Sequence, residues 1–145
     1  MCSRFALYAD PVAVARALQL PPPPDAWAPR YNVAPGTWIT GVRRPEPDTE
    51  PCFDNLCWGY LPRWAREGSP APINACAEKL DTSRYFCGAF HKHRALIPAS
   101  GWYEVAAKGG RQVALLLQPR GRCAAVPGRD LGAVRRRYRL LRHHH

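Results

Sequence analysis

An α+β fold with a mainly antiparallel sheet follows from three features of the 145-residue sequence. A short amphipathic helical segment stands near the amino terminus, several runs rich in β-branched and aromatic residues come after it, and a stretch poor in helix breakers, residues 77 to 93, separates those runs into two groups. Elements that come in groups, helix then strands then helices then strands, argue for α+β and against a regularly alternating parallel sheet. With 46% hydrophobic residues the chain has the material for one buried core, and a single domain is expected.

Taken in order, Asp10-Pro11 reads as an N-cap followed by proline at the first helical position, and Val12, Val14, Ala15 and Leu18 then recur as one helix face requires. A helix near residues 11 to 19 is predicted, ended by Pro21 to Pro24, which cannot donate to a helix and push the preceding residue out of the α region. Strands are predicted in Thr37 to Arg43, Phe53 to Leu61, Arg94 to Val105 and Arg111 to Leu117 from their apolar, β-branched content. Residues 77 to 93 should form one or two short helices. From Pro119 onward alternation disappears and Arg, Ala, Gly and Val dominate, so residues 119 to 145 read as a basic, irregular tail behind a domain spanning 1 to 118. His143 to His145 are either the start of an expression tag or a genuine terminus.

Charge follows the same division. Residues 1 to 118 hold 13 Lys/Arg and 10 Asp/Glu, whereas the last 27 hold 8 arginines and one aspartate, so most of the net charge of +10 belongs to the tail. No run approaches the roughly 18 apolar residues of a membrane span, and no signal pattern opens the chain. A cytoplasmic protein with no membrane association is expected. The six cysteines, at 2, 52, 57, 76, 87 and 123, are then expected to stay reduced, and none forms a CxxC pair. Cys87, His91 and His93 have a spacing that a metal tolerates, but short helices account for them better, and no metal or other cofactor is expected.

Cys2 directly follows the initiator methionine. By itself a penultimate cysteine is ordinarily a small hydrophobe at a frayed end. Removal of Met1 would give it a free α-amine, with a pKa of about 7.7 to 8.0, beside a thiol of about 8.5, so both are partly nucleophilic near neutral pH. An aldehyde would condense with the amine to a Schiff base, and the thiol would close a five-membered thiazolidine in a fast intramolecular step.

Five motifs, MCSRF, RYNVAPGT, WGYLPRWA, INACAEKLDTSRYF and LIPASGWYEV, occur in that order over residues 2 to 118. Together they resemble the SRAP family of abasic-site processing proteins, which cross-link themselves to abasic sites in single-stranded DNA. The resemblance implies a single domain with a barrel-like antiparallel sheet, a monomer, and nucleoid association when DNA is bound. It implies Cys2 as the nucleophile, Asn74 as the amide that orients the opened sugar, and Glu104 as the carboxylate that relays a proton, general acid/base work of about 100-fold or more. It also implies Arg4 and Arg84 as phosphate contacts and Pro35 as a wedge against a neighbouring base, with Trp64 as aromatic surface. Trp58, Tyr60 and Trp64 all fit either core packing or base stacking, and Glu78 reads as structural.

The chain departs from the family's motifs at several points. Ser3 stands where the family has glycine, Cys76 where INAR has arginine, Val105 where tryptophan follows the glutamate, and Ala65 where a second tryptophan is common. The family's H-x-R-M-P-like histidine motif does not occur, and the tail has the composition that an out-of-frame reading of GC-rich sequence gives, so a truncated or frame-shifted member is expected. The family's activity is lyase-like cross-linking, alongside a peptidase or hydrolase description. The alternatives are a non-covalent single-strand DNA binder and an inactive truncated member.

Overall fold

The computed structural model describes residues 3–118 and 141–142. In chain order the elements are β1 (Arg4–Leu7), α1 (Pro11–Ala17), β2 (Arg30–Val33), β3 (Trp38–Arg43), β4 (Cys52–Trp58), a 3-10 turn (Ala77–Lys79), α2 (Cys87–Lys92), β5 (Ala95–Leu96), β6 (Gly101–Lys108), β7 (Arg111–Leu117) and β8 (Leu141–Arg142). They form two four-stranded sheets, ordered β2-β1-β6-β7 and β5-β3-β4-β8, and every strand pair is antiparallel. Among the described residues neither sheet pairs its first strand with its last, so each is open. The chain divides into two compact units, the first drawn from Met1–Ala34 and Pro98–Val134 and the second from Pro35–Ile97 and Arg135–His145.

In the first unit, α1 begins as its sequence dictates: Asp10 Oδ2 accepts from Ala13 N at 2.9 Å, and Pro11 occupies the first helical turn, where its missing N–H costs nothing. The helix closes with Gln19 in the left-handed region (φ 57°) and Leu20 N donating to Ala15 O at 2.9 Å. Strand β1 lies between β2 and β6 and is buried along Phe5, Ala6 and Leu7, with Val33 of β2 and Ala15 of α1 also in the core. Strands β6 and β7 form a hairpin through Gly109 and Gly110, both at positive φ (56° and 76°), as a tight two-residue turn between right-twisted strands requires. Outer strand β7 is exposed along its whole length.

In the second unit, β3 and β4 pair over six positions, from Trp38–Cys57 to Arg43–Cys52, with an Arg43–Asp54 ion pair at 2.5 Å. Ile39, Val42, Leu56, Cys57 and Trp58 supply the buried side chains of these strands, and Leu80 and Ala89 those of the helical segment. Strand β4 stops at Gly59, whose φ of 134° is open to glycine and little else.

Predicted and observed elements agree for α1, β3, β4, β7 and the two short helical pieces within 77–93. The apolar run from Arg94 to Val105 divides, because Pro98 interrupts the ladder: Ala95–Leu96 pair with β3, whereas Gly101–Lys108 pair with β1 and β7. Strands β1, β2 and β8 were not anticipated. Of the expected irregular tail, Leu141–Arg142 pair with β4 as β8, and the rest lies outside the described residues.

Ser100 is the buried polar residue at the restart of the chain into β6. Its amide donates to Ala6 O at 2.8 Å, and its Oγ accepts from Tyr8 N (3.0 Å) and Ala9 N (3.1 Å). Next to it, a Cβ on Gly101 would sit 2.8 Å from the Leu117 carbonyl oxygen, so glycine is what lets β7 approach β6 there. Replacing Ser100 by Ala should leave two backbone donors unmatched and lower unfolding free energy by about 1–3 kcal/mol. Urea unfolding followed by circular dichroism measures it, and an unchanged midpoint would show that water replaces the hydroxyl at no cost.

Candidate functional site

Trp58 organises the second unit's candidate residues. Its side chain is 1% exposed, and its indole Nε1 donates to Ile73 O at 3.2 Å, one residue before Asn74. Tyr60 N donates to Pro72 O at 3.0 Å, so the WGY segment grips the INA segment at two points. The same tryptophan's carbonyl accepts from Gly36 N at 2.7 Å, and its amide donates to Thr37 O at 3.1 Å, which holds the Pro35–Gly36 turn at the end of β4. Of the three aromatic residues left open by sequence, Trp58 is core and Trp64 is surface, 61% exposed.

Asn74 lines an open groove of ≈ 550 Å³ together with Cys76, Lys79, Thr82, Ser83 and Phe86. Arg84, between two groove residues in sequence, lies with its Cζ 5.9 Å from the centre of the Trp64 ring, a cation–π contact worth about 0.5–1 kcal/mol at an exposed site. Tyr85 holds this corner: its hydroxyl donates to Pro70 O at 2.7 Å, and its ring meets those of Trp64, Phe86 and Tyr60 edge-on at 5.6, 5.0 and 5.8 Å. Burial, and secondarily the neighbouring Tyr85 and Cys87, raise the Tyr60 phenol above its ordinary range, so it stays protonated at neutral pH.

Arg4 and Glu104 belong to the first unit. Arg4 pairs with Tyr103 across β1 and β6, and its Nη1 donates to Asn32 Oδ1 at 3.1 Å. Glu104 pairs with Leu115 on β7, and since successive side chains of a strand alternate, it lies on the sheet face opposite Tyr103 and Arg4. The β1–β6 register runs from Ala6–Gly101 to Arg4–Tyr103, which puts Glu104 one residue beyond the last paired position. Cys2 lies outside the described residues. Thus Pro35, Trp64, Asn74 and Arg84 come together in one unit, and Arg4 and Glu104 on neighbouring strands of the other.

The profile of the SOS response associated peptidase (SRAP) family matches residues 1–128 of the chain. The chain belongs to the SRAP family. Its structure is similar to the crystal structure of a phage-related protein from Bordetella bronchiseptica, with a TM-score of 0.61 and 26% sequence identity, covering 82% of this chain and 56% of that one. This SRAP chain therefore spans little more than half the length of the solved relative. No curated protein sequence matches it. The family's description ties the chain to the SOS response, the answer to DNA damage.

Several groove residues of this SRAP chain were not singled out from sequence, namely Lys79, Thr82, Ser83 and Phe86, although all fall within the INACAEKLDTSRYF motif. Cys76, where the family's motif has arginine, is exposed and lines the groove, and Lys79 is the cation among the lining residues. Among the described residues no three or more His, Cys, Asp or Glu side chains are grouped to hold a metal, and no helix is long and apolar enough to cross a membrane.

Two outcomes test this arrangement. Trp58→Phe removes the indole donor to Ile73 O and should cost about 1–3 kcal/mol of stability, read by urea unfolding. Peptide mapping after brief iodoacetamide treatment of the native protein should find Cys52 and Cys76 alkylated and Cys57 protected, since the first two are exposed and the third is buried.

Proposed function

We propose that this SRAP chain forms a covalent thiazolidine cross-link through Cys2 with an abasic site in single-stranded DNA. The observation that supports the reading best is that Pro35, Trp64, Asn74 and Arg84, from three of the motifs, belong to one unit, with Arg84 over the Trp64 ring and Asn74 lining the groove. An exposed indole topped by a guanidinium, beside an open groove with an amide and an ammonium, suits a nucleic-acid backbone and an unstacked base.

The chemistry balances without oxidant or cofactor. The α-amine of Cys2, exposed by removal of Met1, adds to the aldehyde carbon of the ring-opened deoxyribose. A water molecule leaves as the imine forms, and the thiol then adds across the C=N bond to close the thiazolidine. Glu104, in the role the family resemblance implies, takes the amine's proton and returns it to the departing hydroxyl. Asn74 orients the opened sugar, while Arg4 and Arg84 hold phosphates and Pro35 and Trp64 meet the flanking bases. Lys79 supplies positive charge to the groove where Cys76 replaces the motif's arginine.

Incubation with an oligonucleotide containing one abasic site, followed by denaturing electrophoresis and intact mass, tests the proposal. The wild-type protein lacking Met1 should give a denaturation-resistant adduct heavier than the protein by the DNA minus one water. Cys2→Ala should give none, and Glu104→Gln should slow its formation by roughly 100-fold. Trp64→Ala should weaken single-strand binding by about 1–3 kcal/mol. An adduct that persists in Cys2→Ala overturns the reading, and salt-sensitive binding with no adduct assigns the chain to non-covalent DNA binding.

A further inference from the structure

The pairing of β1 with β2 contains an irregularity with a consequence for ligand binding. Phe5 pairs with Val33 and Leu7 with Arg30, so one residue of β1, Ala6, faces two of β2, Tyr31 and Asn32. Two residues against one is a β-bulge, and a bulge re-aims the side chains it contains. Here Asn32 accepts from Arg4 Nη1 at 3.1 Å, while the Tyr31 ring stacks on Tyr8 with centroids 5.5 Å apart and planes at 19°. Arg4 and Tyr8 share parity along β1, with Ala6 between them fully buried, so the two β2 residues serve two positions of one sheet face.

Each member of this ledge is held from elsewhere. The Tyr103 hydroxyl, from β6, donates to the Tyr31 carbonyl oxygen at 2.7 Å, and the Gln118 side chain bonds to the Tyr8 hydroxyl. Tyr31 is nevertheless 64% exposed, the most exposed of the large hydrophobic side chains described in the first unit. A ring that packs one face on a neighbour and leaves the rest open adds little to the core but presents a preorganised π surface, so little side-chain freedom is lost when a ligand stacks on it. Arg4 is exposed as well, and the bond to Asn32 uses one of its five N–H donors. Neither β1 nor β2 contains an aspartate or glutamate.

We propose that the bulge builds a one-nucleotide subsite in which Arg4 engages a phosphate and the Tyr31 ring, backed by Tyr8, stacks the adjoining base of a single DNA strand. The inference rests on the single-strand DNA reading above and adds to it a base-binding residue, Tyr31, to which the family resemblance assigns no role. Since every base has a π face, the subsite takes any base and distinguishes a nucleotide that has one from a nucleotide that has lost it. It lies close in sequence to Cys2, so it suits an intact nucleotide next to the lesion.

The test compares two probes of equal length on the full chain: oligothymidylate, and a phosphodiester chain of tetrahydrofuran spacers that has the charge but no bases. Tyr31→Leu should weaken oligothymidylate binding by roughly fivefold to a hundredfold in fluorescence anisotropy and leave spacer binding unchanged. Tyr31→Phe should bind both probes as wild type, and Arg4→Gln should weaken both. The Tyr31 carbonyl that Tyr103 holds survives either substitution at Tyr31. As a measurement on the wild type, an oligomer carrying 5-iodouracil should photo-cross-link to Tyr31, located by peptide mass spectrometry. Undiminished oligothymidylate binding by Tyr31→Leu, an equal loss on both probes, or photo-cross-links only elsewhere overturns the subsite while the DNA reading stands. Failure of the wild type to bind either probe removes the DNA reading and the subsite with it.

Discussion

Burial of Trp58 is the constraint on which the second unit's candidate site depends. A tryptophan taken wholly out of water must find a partner for its indole N–H, and the partner here is the carbonyl of Ile73. That bond carries the segment bearing Asn74 to the end of β4, while the tryptophan's own backbone holds the Pro35–Gly36 turn. One buried side chain thereby positions two loops that follow no ladder of their own. The groove lined by Asn74, Lys79 and Ser83 is the space left once those loops are fixed.

The first unit depends on a four-residue strand. β1 is paired on both sides, and Phe5 and Ala6 are fully buried, so its register is specified by side-chain burial as well as by hydrogen bonds. A slip of one position would carry Phe5 to the outer face and Arg4 into the core. The extra residue in β2 is accommodated without breaking that register, and its effect is to put two β2 side chains against one β1 position. Ser100 completes the arrangement by satisfying the amides of Tyr8 and Ala9, just past the end of β1.

Electrostatics in the described part of the chain act through placement and not through bulk. With 13 basic and 10 acidic side chains in residues 1 to 118, no large field exists there, and the arginines that matter are those held in position. Arg84 rests over Trp64 and Arg4 is tethered by Asn32, so each is oriented before any ligand arrives. On the proposed single-strand reading, contacts of this kind engage phosphates and ring faces, which all nucleotides share, so the affinity expected is salt-dependent and little sequence is read. The outer strand β7 exposes an apolar surface, with Leu115, Leu116 and Leu117 each at least 40% exposed.

Much of the fold could be read from the sequence where local chemistry acts alone. Asp10-Pro11 starts a helix because the cap is local, and a run of β-branched and aromatic residues is enough to mark β3. The ordered motifs likewise carried the family, and with it Cys2 as the residue of chemical interest. Strands β1 and β2 were not legible, since four residues are too few to show a period, and Phe5 finds Trp102 and Val33 only through long-range pairing. The same reason explains why three aromatic residues of one motif could not be told apart by sequence. Trp58 and Trp64 have the same side chain, and their opposite fates, 1% and 61% exposed, go with their places in the chain: Trp58 ends strand β4, and Trp64 lies in a turn beyond it. Sequence alone determined the helix cap and the order of the motifs, because each depends on residues that are neighbours in the chain. Tertiary structure alone decided that Arg84 lies over Trp64, that Asn74 hangs from Trp58 and that a bulge pairs Tyr31 with Tyr8, because those partners meet only after distant segments pack.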